Sequence, residues 1–437
     1  MRGVRVIVGG AGLAGLSAAH ELVRAGAAVT LLDARERAGG RVHTIRDFSG
    51  GQHAELGGEF LEPDHKEILA LCRTFGLRLI RVLRSGFTHR FRDARGTYHL
   101  SRTAPWVSLA DALSPLVRRY KIARGDPSAD AVREMAAMSL VEWLRQSDAP
   151  REVQQMATAL RGFFLADPQE LSVLPVVEQV AKGGSPAQVQ FFRIEGGNNR
   201  LVDALVRATP AHLMLGTAIR SVANAVDRIT VNVTDSSGLT QQIEGDYLVM
   251  TLPASTLREV EIRPALPEDQ GHAIAKLSYG RATKVLVQTS TNLFQSRHAR
   301  AFATDGHLGA FWDGSEEQGS AASILAFLAG GSASAPLLEA ATEGGSELLS
   351  ELCWLGLNRA QPVTAVHIGD WTSDPWARGG YAFLDPAFDP AWRRLLSRRA
   401  GRIFFAGEHT SERWQGYMNG AVESGQRAAR ELLDDLR

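Results

Sequence analysis

The sequence predicts an α/β nucleotide-binding fold joined to a second region of sheet and helices, and three observations predict it. The chain opens as strand, glycine turn, helix and strand. Its 437 residues suffice for two domains, each with its own core. A helical stretch over residues 109–182 separates β-rich segments on either side.

The opening unit carries the sharpest signal. Val4, Val6, Ile7 and Val8 belong to an apolar, β-branched run that reads as a buried parallel strand. Gly10, Gly12 and Gly15 then fill the GxGxxG spacing. The first glycine permits a tight turn and the second lets backbone N–H groups approach a pyrophosphate. The third packs the helix against the sheet, with its N-terminus facing the negative charge. Residues 16–25 have helical periodicity, and Gly26 stands where a terminating glycine belongs. Residues 28–32 make a second strand that ends on Asp33, an acid about 20 residues on that can accept from a ribose hydroxyl. A glycine turn framed in this way points to a dinucleotide far more specifically than the glycines alone.

Further along, residues 52–60 read as a strand entering a second glycine turn, and residues 64–75 as a helix. Residues 78–82 and 87–100 alternate as sheet. Over residues 109–182, Pro127, Pro150, Pro168 and Pro175 mark helix breaks, and these helices are expected to cap a site. Sheet returns at residues 191–194, followed by a helix ending at Ala208 and strands at 212–215, 219–222, 228–233 and 246–251. Residues 279–289 read as a strand carrying Lys284, 330–346 as a loop with a short helix, and 362–370 as a strand. The closing segment, residues 421–436, is helical, and no internal repeat is visible.

Composition narrows the class. Forty-eight basic and 48 acidic residues leave no net charge, and no long single-sign block occurs. That argues against nucleic acid or an anionic membrane as the main partner. Cys72 and Cys353 form no disulfide framework and lack metal-ligand spacing. Two buried thiols in a reducing cytoplasm fit this usage, and no metal is expected. Residues 6–19 have the apolarity of a signal core, but their glycines suit the nucleotide turn better. No apolar run is long enough to span a bilayer.

After Asp33 the chain continues Ala34-Arg35-Glu36-Arg37-Ala38-Gly39-Gly40-Arg41. FAGEHT follows at residues 405–410 and WQGYMNGAVESG at 414–425, with a further glycine-rich block opening at Gly196-Gly197. This succession resembles the flavin amine oxidase superfamily, which includes monoamine, polyamine and L-amino-acid oxidases. The resemblance covers both ends and the middle of the chain. It implies a two-domain fold, α/β plus α+β. A discontinuous Rossmann-like FAD domain would comprise residues 1–76, 190–275 and 396–437. A substrate domain of sheet and helices would comprise 77–189 and 276–395.

The resemblance also implies which residues meet FAD. Gly10, Gly12, Ala14, Gly15, Asp33, Ala34 and Arg35 would hold its nucleotide part. Gly39, Gly40 and Arg41 would lie against pyrophosphate and flavin, with Gly57, Gly58 and Glu59 nearby. The backbone of Ile219 would meet the adenine, with apolar strand packing the equal alternative, and Glu408, beside Gly407, would meet the ribityl–pyrophosphate region. Tyr417, Met418 and Asn419 would bring the last helix's N-terminal amides to the flavin's C2 carbonyl, favouring charge there on reduction. The family usually has Glu at the place of Asp33, and the shorter side chain can still accept from a ribose.

On the substrate side, Tyr381 and Tyr417 match the family's aromatic pair in front of the flavin. Gly380 stands where covalent-flavin monoamine oxidases carry cysteine, so non-covalent FAD is expected. Lys284 matches the lysine that reaches flavin N5 through a water, in a role that assists oxygen. Burying an ammonium is costly unless it is paired, and a solvent-facing strand position is the alternative for this residue. Phe60 departs from the family's L-amino-acid oxidases, which place an arginine there; a phenyl ring cannot grip a carboxylate in bidentate fashion. Glu59 and Glu62 could attract a second amino group, Glu62 matching an acid of polyamine oxidases. A solvated turn carboxylate is the alternative for both.

The implied activity is hydride removal from the α-carbon of a primary or secondary amine. The imine becomes aldehyde or ketone, and oxygen becomes hydrogen peroxide. The expected partners are a small amine and molecular oxygen, in a cytoplasmic protein that could pair as a homodimer. The alternatives are an L-amino-acid oxidase with its clamp rebuilt elsewhere, Arg378 being the candidate, a C–C desaturase, and a flavoprotein without catalysis.

Overall fold

The computed structural model describes residues 3–101, 104–183, 190–294, 300–355 and 362–437. A five-stranded, all-parallel sheet organises the nucleotide side. Its order is Ile403–Phe405, Tyr247–Met250, Arg5–Gly9, Ala28–Leu32 and His212–Met214. Arg5–Gly9 lies in the middle, and Val6, Ile7 and Val8 are buried because both sheet faces are covered. A strand so placed reads as a continuous apolar run, as this one does.

The first helix, Leu13–Arg24, starts earlier than periodicity indicated, because the glycine turn leads into it without an intervening loop. It packs along the last helix, Met418–Asp435, which likewise begins before residue 421. Small residues allow the approach. A Cβ at Gly15 would stand 1.8 Å from the Gly10 carbonyl oxygen, and one at Gly425 would stand 2.1 Å from that of Ala14.

A seven-stranded sheet forms the other side. Its order is Val363–Asp370, Ala282–Thr289, Ser323–Gly330, Ala310–Asp313, Ala301–Thr304, Thr88–Arg92 and Tyr98–Leu100. Pairing is antiparallel except between Ala301–Thr304 and Thr88–Arg92. Every residue of Ala282–Thr289 is buried. The helices Pro105–Ile122, Asp130–Ala137, Leu140–Gln146, Arg151–Ala159, Arg161–Phe164 and Val173–Ala181 form the helical region.

The structure corrects several expectations. Pro115 lies inside Pro105–Ile122, and Pro175 sits in the first turn of Val173–Ala181, where no helical N–H bond is lost. The strand expected over 52–60 shortens to Ala54–Glu55. Thr240–Gly245, Ala301–Thr304, Ala310–Asp313 and Ser323–Gly330 are strands that sequence reading passed over. Cys72 is buried, its thiol pushed up to about 11 by burial, but Cys353 is exposed. The domain boundary expected at residue 189 lies outside the described residues. Among the described residues, no helix is long and apolar enough to cross a membrane.

The contact between Gly15 and Gly10 yields a direct test. Gly15→Ala drives a methyl into backbone that cannot step aside, at a cost of about 1–3 kcal/mol. A melting temperature equal to wild type, measured without added nucleotide, would refute this packing.

Candidate active site

A cavity of about 770 Å³ runs from the glycine turn to the seven-stranded sheet. Gly10, Gly12, Ala14 and Asp33 line one end, at the carboxyl ends of parallel strands where such folds bind ligands. Lys284, Tyr381 and Tyr417 line the other.

The nucleotide end is built by backbone bonds to side chains. Asp33 accepts from the Ala11 N–H at 2.8 Å and the Arg35 N–H at 2.9 Å, one on each oxygen. Burial raises its carboxyl, and these two N–H groups oppose the rise. The Thr251 hydroxyl donates to the Gly9 and Gly10 carbonyls at 2.7 and 3.1 Å, fastening the turn. Ile219 lies against Gly9 and lines the cavity, and Arg35 pairs with Asp374 at 2.5 Å. Arg37, which sequence reading left without a role, donates to the Gly40 and Val42 carbonyls at 2.9 and 3.3 Å and shapes the Gly-Gly-Arg segment.

These residues fit FAD. A Cβ at Gly12 would meet nothing within 4 Å, so the helix N-terminus presents open backbone to the cavity. Gly40, Arg41, Gly57, Gly58, Gly407, Glu408 and Met418 continue the lining toward the tyrosines. Arg41 donates to the Gly380 carbonyl at 2.8 Å and to Glu408 at 3.0 Å, and Glu408 accepts from the Gly416 N–H at 2.7 Å.

Two of the residues expected at FAD also carry packing roles. Gly15 faces the Gly10 carbonyl, in the packing role of a third glycine. Asn419 is fully buried, donates to Glu67 at 2.7 Å and accepts from the Ile68 N–H at 3.0 Å. Its side chain ties the last helix to the helix Lys66–Thr74, because that neighbour offers unpaired first-turn groups.

At the chemical end, the Tyr381 hydroxyl donates to the Phe163 carbonyl. The Tyr417 ring meets His65 edge-on at 5.3 Å and Trp414 at 5.7 Å. Burial is the main cause that raises both phenols, so both stay protonated.

Lys284 is only 3% exposed, which excludes the solvent-facing alternative. Its ammonium donates to the Gly57 carbonyl at 3.0 Å and to Glu59 at 2.5 Å. The other oxygen of Glu59 accepts from Trp312 Nε1 and pairs with Arg193, each at 2.8 Å. Glu59 is therefore corrected: its carboxylate is already engaged by three donors and is not free for a substrate's second amino group.

Phe60 lies 5.3 Å from Phe191 and 5.2 Å from Trp312, ring centre to ring centre. Glu62 lines the cavity, pushed up to about 7 by burial and the charge of Asp64, with Lys182 opposing. Arg378 pairs with Glu259, which disfavours it as a carboxylate clamp. With Asp64 and His65, Glu62 forms a group whose ligand atoms lie within 4.8 Å, but His65 Nδ1 already accepts the Glu62 N–H at 3.0 Å.

Sequence reading missed Arg193, Trp312, Phe163 and Leu165. Trp312 could have been found from the apolar run Ala310-Phe311-Trp312, had it been read as a strand. Leu165 has no such signal. It takes a left-handed φ of 59°, and a Cβ at Gly280, Gly330 or Gly380 would stand 2.2, 2.4 or 2.4 Å from its atoms. Glycines from three distant segments make its place.

The fold and the cavity together define a dinucleotide-binding protein of flavin type with an aromatic-lined cavity. Residues 13–433 match the family of flavin containing amine oxidoreductases, and the chain belongs to that family. It is 29% identical to AofH of Mycobacterium tuberculosis, which is named for flavin-containing monoamine oxidase, over 98% of this chain and 96% of that one. It is 25% identical to bovine flavin-containing amine oxidase A, over 99% and 85% of the two chains. Two solved structures share its fold at a TM-score of 0.85, each covering 99% of both chains. They are cyclohexylamine oxidase from Brevibacterium oxydans, 23% identical, and putrescine oxidase bound to putrescine, 20% identical.

Glu62 gives a pH test of this geometry. Its folded value lies above the ordinary 4.5, so the stability it contributes is full below that pH and is lost as pH rises through about 7. Glu62→Gln should therefore melt higher than wild type at pH 8, with the gap closing toward pH 4.5. A gap that does not change with pH would contradict the buried placement.

Proposed function

We propose that the protein is an oxidase of primary or secondary amines that holds FAD without a covalent bond. For a primary amine the balanced reaction is R2CH–NH2 + O2 + H2O → R2C=O + NH3 + H2O2. One observation carries this reading: Tyr381 and Tyr417 line the same cavity as the buried Lys284, while an apolar ring, Phe60, occupies the position of a carboxylate clamp. When bound, FAD supplies the acceptor for the substrate's hydride and the route by which the two electrons reach oxygen.

The chain's own residues do the rest. Tyr381 and Tyr417 flank the amine and orient its α-carbon, and both phenols stay uncharged. Phe60, Phe163 and Leu165 bring apolar surface to the cavity, where a neutral amine is easier to accommodate than an ammonium. That neutral form keeps the lone pair that hydride loss requires. Lys284 places a cation where reduction of oxygen builds negative charge. The names of the cyclohexylamine and putrescine oxidases support an amine as substrate without choosing its size.

The matched pair phenethylamine and phenylalanine tests the substrate class. Burying an unpaired carboxylate beside aromatic rings costs several kcal/mol, so the amine should reduce the flavin orders of magnitude faster under anaerobic conditions. Faster reduction by phenylalanine would replace the amine reading with an amino-acid oxidase. Diamine preference should grow as pH rises through about 7, where Glu62 ionises, and vanish in Glu62→Gln.

Attachment of the cofactor has a simple assay. Gly380 offers no thiol, and a side chain added there would press its Cβ to 2.4 Å from Leu165 and 2.9 Å from Ala282. Acid precipitation should release yellow FAD into the supernatant; flavin retained on peptide would contradict non-covalent binding.

A further inference from the structure

Two cations converge on Glu59 from different sheets. Lys284 comes from Ala282–Thr289 and Arg193 from Phe191–Ile194. The carboxylate divides between them. One oxygen takes Lys284 at 2.5 Å, and the other takes Arg193 and Trp312 Nε1, both at 2.8 Å. Arg193 is itself braced on the Asp313 and Gly314 carbonyls at 3.0 Å each, where Ala310–Asp313 ends. Glu59, Lys284, Arg193 and Trp312 are all buried. Glu59 cannot rotate without breaking a bond to an indole or a cation.

Lys284 as an ammonium has three hydrogens. The Gly57 carbonyl takes one and Glu59 another. Among the described residues no further oxygen or nitrogen acceptor is bonded to it; it lies 5.2 Å from the centre of the Trp312 ring, and the side chain lines the cavity. The neighbouring Glu55, pushed up to about 7 first by burial, is satisfied by the Asn198 N–H at 2.8 Å and the Thr44 hydroxyl at 2.9 Å. Two cations thus share the Glu59 carboxylate, with Glu55, which ionises near neutrality, beside it.

We infer that Glu59, clamped by Arg193 and Trp312, is the positioning residue that holds Lys284 as a fixed cation with one N–H presented to the cavity. This rests on the amine-oxidase reading. Dioxygen takes up two electrons and two protons to leave as hydrogen peroxide, and FAD, when bound, would supply the electrons. Negative charge develops on oxygen as they arrive, and a cation already in place stabilises it without reorganising. Glu59 never touches oxygen and acts through Lys284 alone.

A double-mutant cycle on the holoenzyme tests the inference. Reoxidation by oxygen is followed in stopped flow after reduction with dithionite, so the measurement needs no amine substrate. Glu59→Gln and Lys284→Met should each slow reoxidation about tenfold or more, and the double variant should be no slower than Lys284→Met. Effects that multiply would overturn the inference, because Glu59 would then act independently of Lys284. Acetylation by acetic anhydride, followed by peptide mass spectrometry, gives a readout apart from turnover. An ion-paired ammonium has no lone pair to offer, so Lys284 should label about tenfold faster in Glu59→Gln than in wild type. Equal labelling would overturn the inference.

Should Glu59→Gln fail to fold, Trp312→Phe removes one N–H from the carboxylate and leaves both cations. It should slow reoxidation about threefold and raise Lys284 labelling; no change in either refutes the clamp. Failure of every amine to reduce the flavin would instead count against the amine-oxidase reading, leaving these measurements to judge Glu59.

Discussion

The ion pair between Arg41 and Glu408 is the contact on which the rest of the site depends. Arg41 follows the glycines of the first FAD segment, and Glu408 follows the last strand of the parallel sheet. Arg41 also holds the Gly380 carbonyl, while Glu408 holds the Gly416 N–H at 2.7 Å and the Ala382 N–H at 3.4 Å. Tyr381 lies between two of these anchors, and Tyr417 directly follows the third. This pair thus sets both tyrosines relative to the nucleotide end. Removing Arg41 leaves the buried carboxylate of Glu408 without its cation, which is destabilising, whereas Arg41 is only partly buried. Distortion at Arg41 would consequently reach Tyr381 and Tyr417.

The second buried charge cluster follows a different logic. Lys284 sits in the strand Ala282–Thr289, with sheet partners on both sides, where an unpaired ammonium could not be accommodated. Glu59 compensates it, and Arg193 with Trp312 satisfies the remaining oxygen. Such a cluster adds little net stability over a hydrophobic equivalent. Its value lies in fixing a charge at a chosen place. The same reasoning applies to Leu165, held at a positive φ that a leucine adopts only when its surroundings impose it. Both features are expensive, and both line the cavity.

How legible this was in the sequence follows from the range of each interaction. The glycine turn, its flanking strands and Asp33 form a local unit, so spacing alone revealed them. Lys284 was legible as an anomaly, a charge in an apolar strand, but its partner was not. Glu59 lies 225 residues away, and nothing local distinguishes it from a solvated turn carboxylate. Asn419 carries a second role that spacing could not show. Its motif placed it at a helix N-terminus, yet its side chain is claimed by the helix Lys66–Thr74, 351 residues back. The strands Ala301–Thr304 and Ala310–Asp313 were passed over because short apolar runs buried on both faces lose the alternation by which strands are read.

The charge states around the cavity bear on what it can accept. Burial keeps Tyr381 and Tyr417 protonated, and Glu59 neutralises Lys284 locally. His89, which also lines the cavity, is pushed down to about 4 by burial and is neutral at physiological pH. Glu62 is the wall residue poised to change charge near neutrality. A permanently anionic wall would draw in ammonium ions and hold them protonated, which blocks hydride loss. A wall dominated by cations would exclude them. This cavity takes an intermediate course: the Arg41–Glu408 pair stands beside the tyrosines, with an acid of raised pKa at Glu62 and the ion-paired cation at Lys284. Charge on this wall is therefore paired at Arg41–Glu408 and at Glu59–Lys284, and Glu62 adds a negative charge as pH rises through about 7.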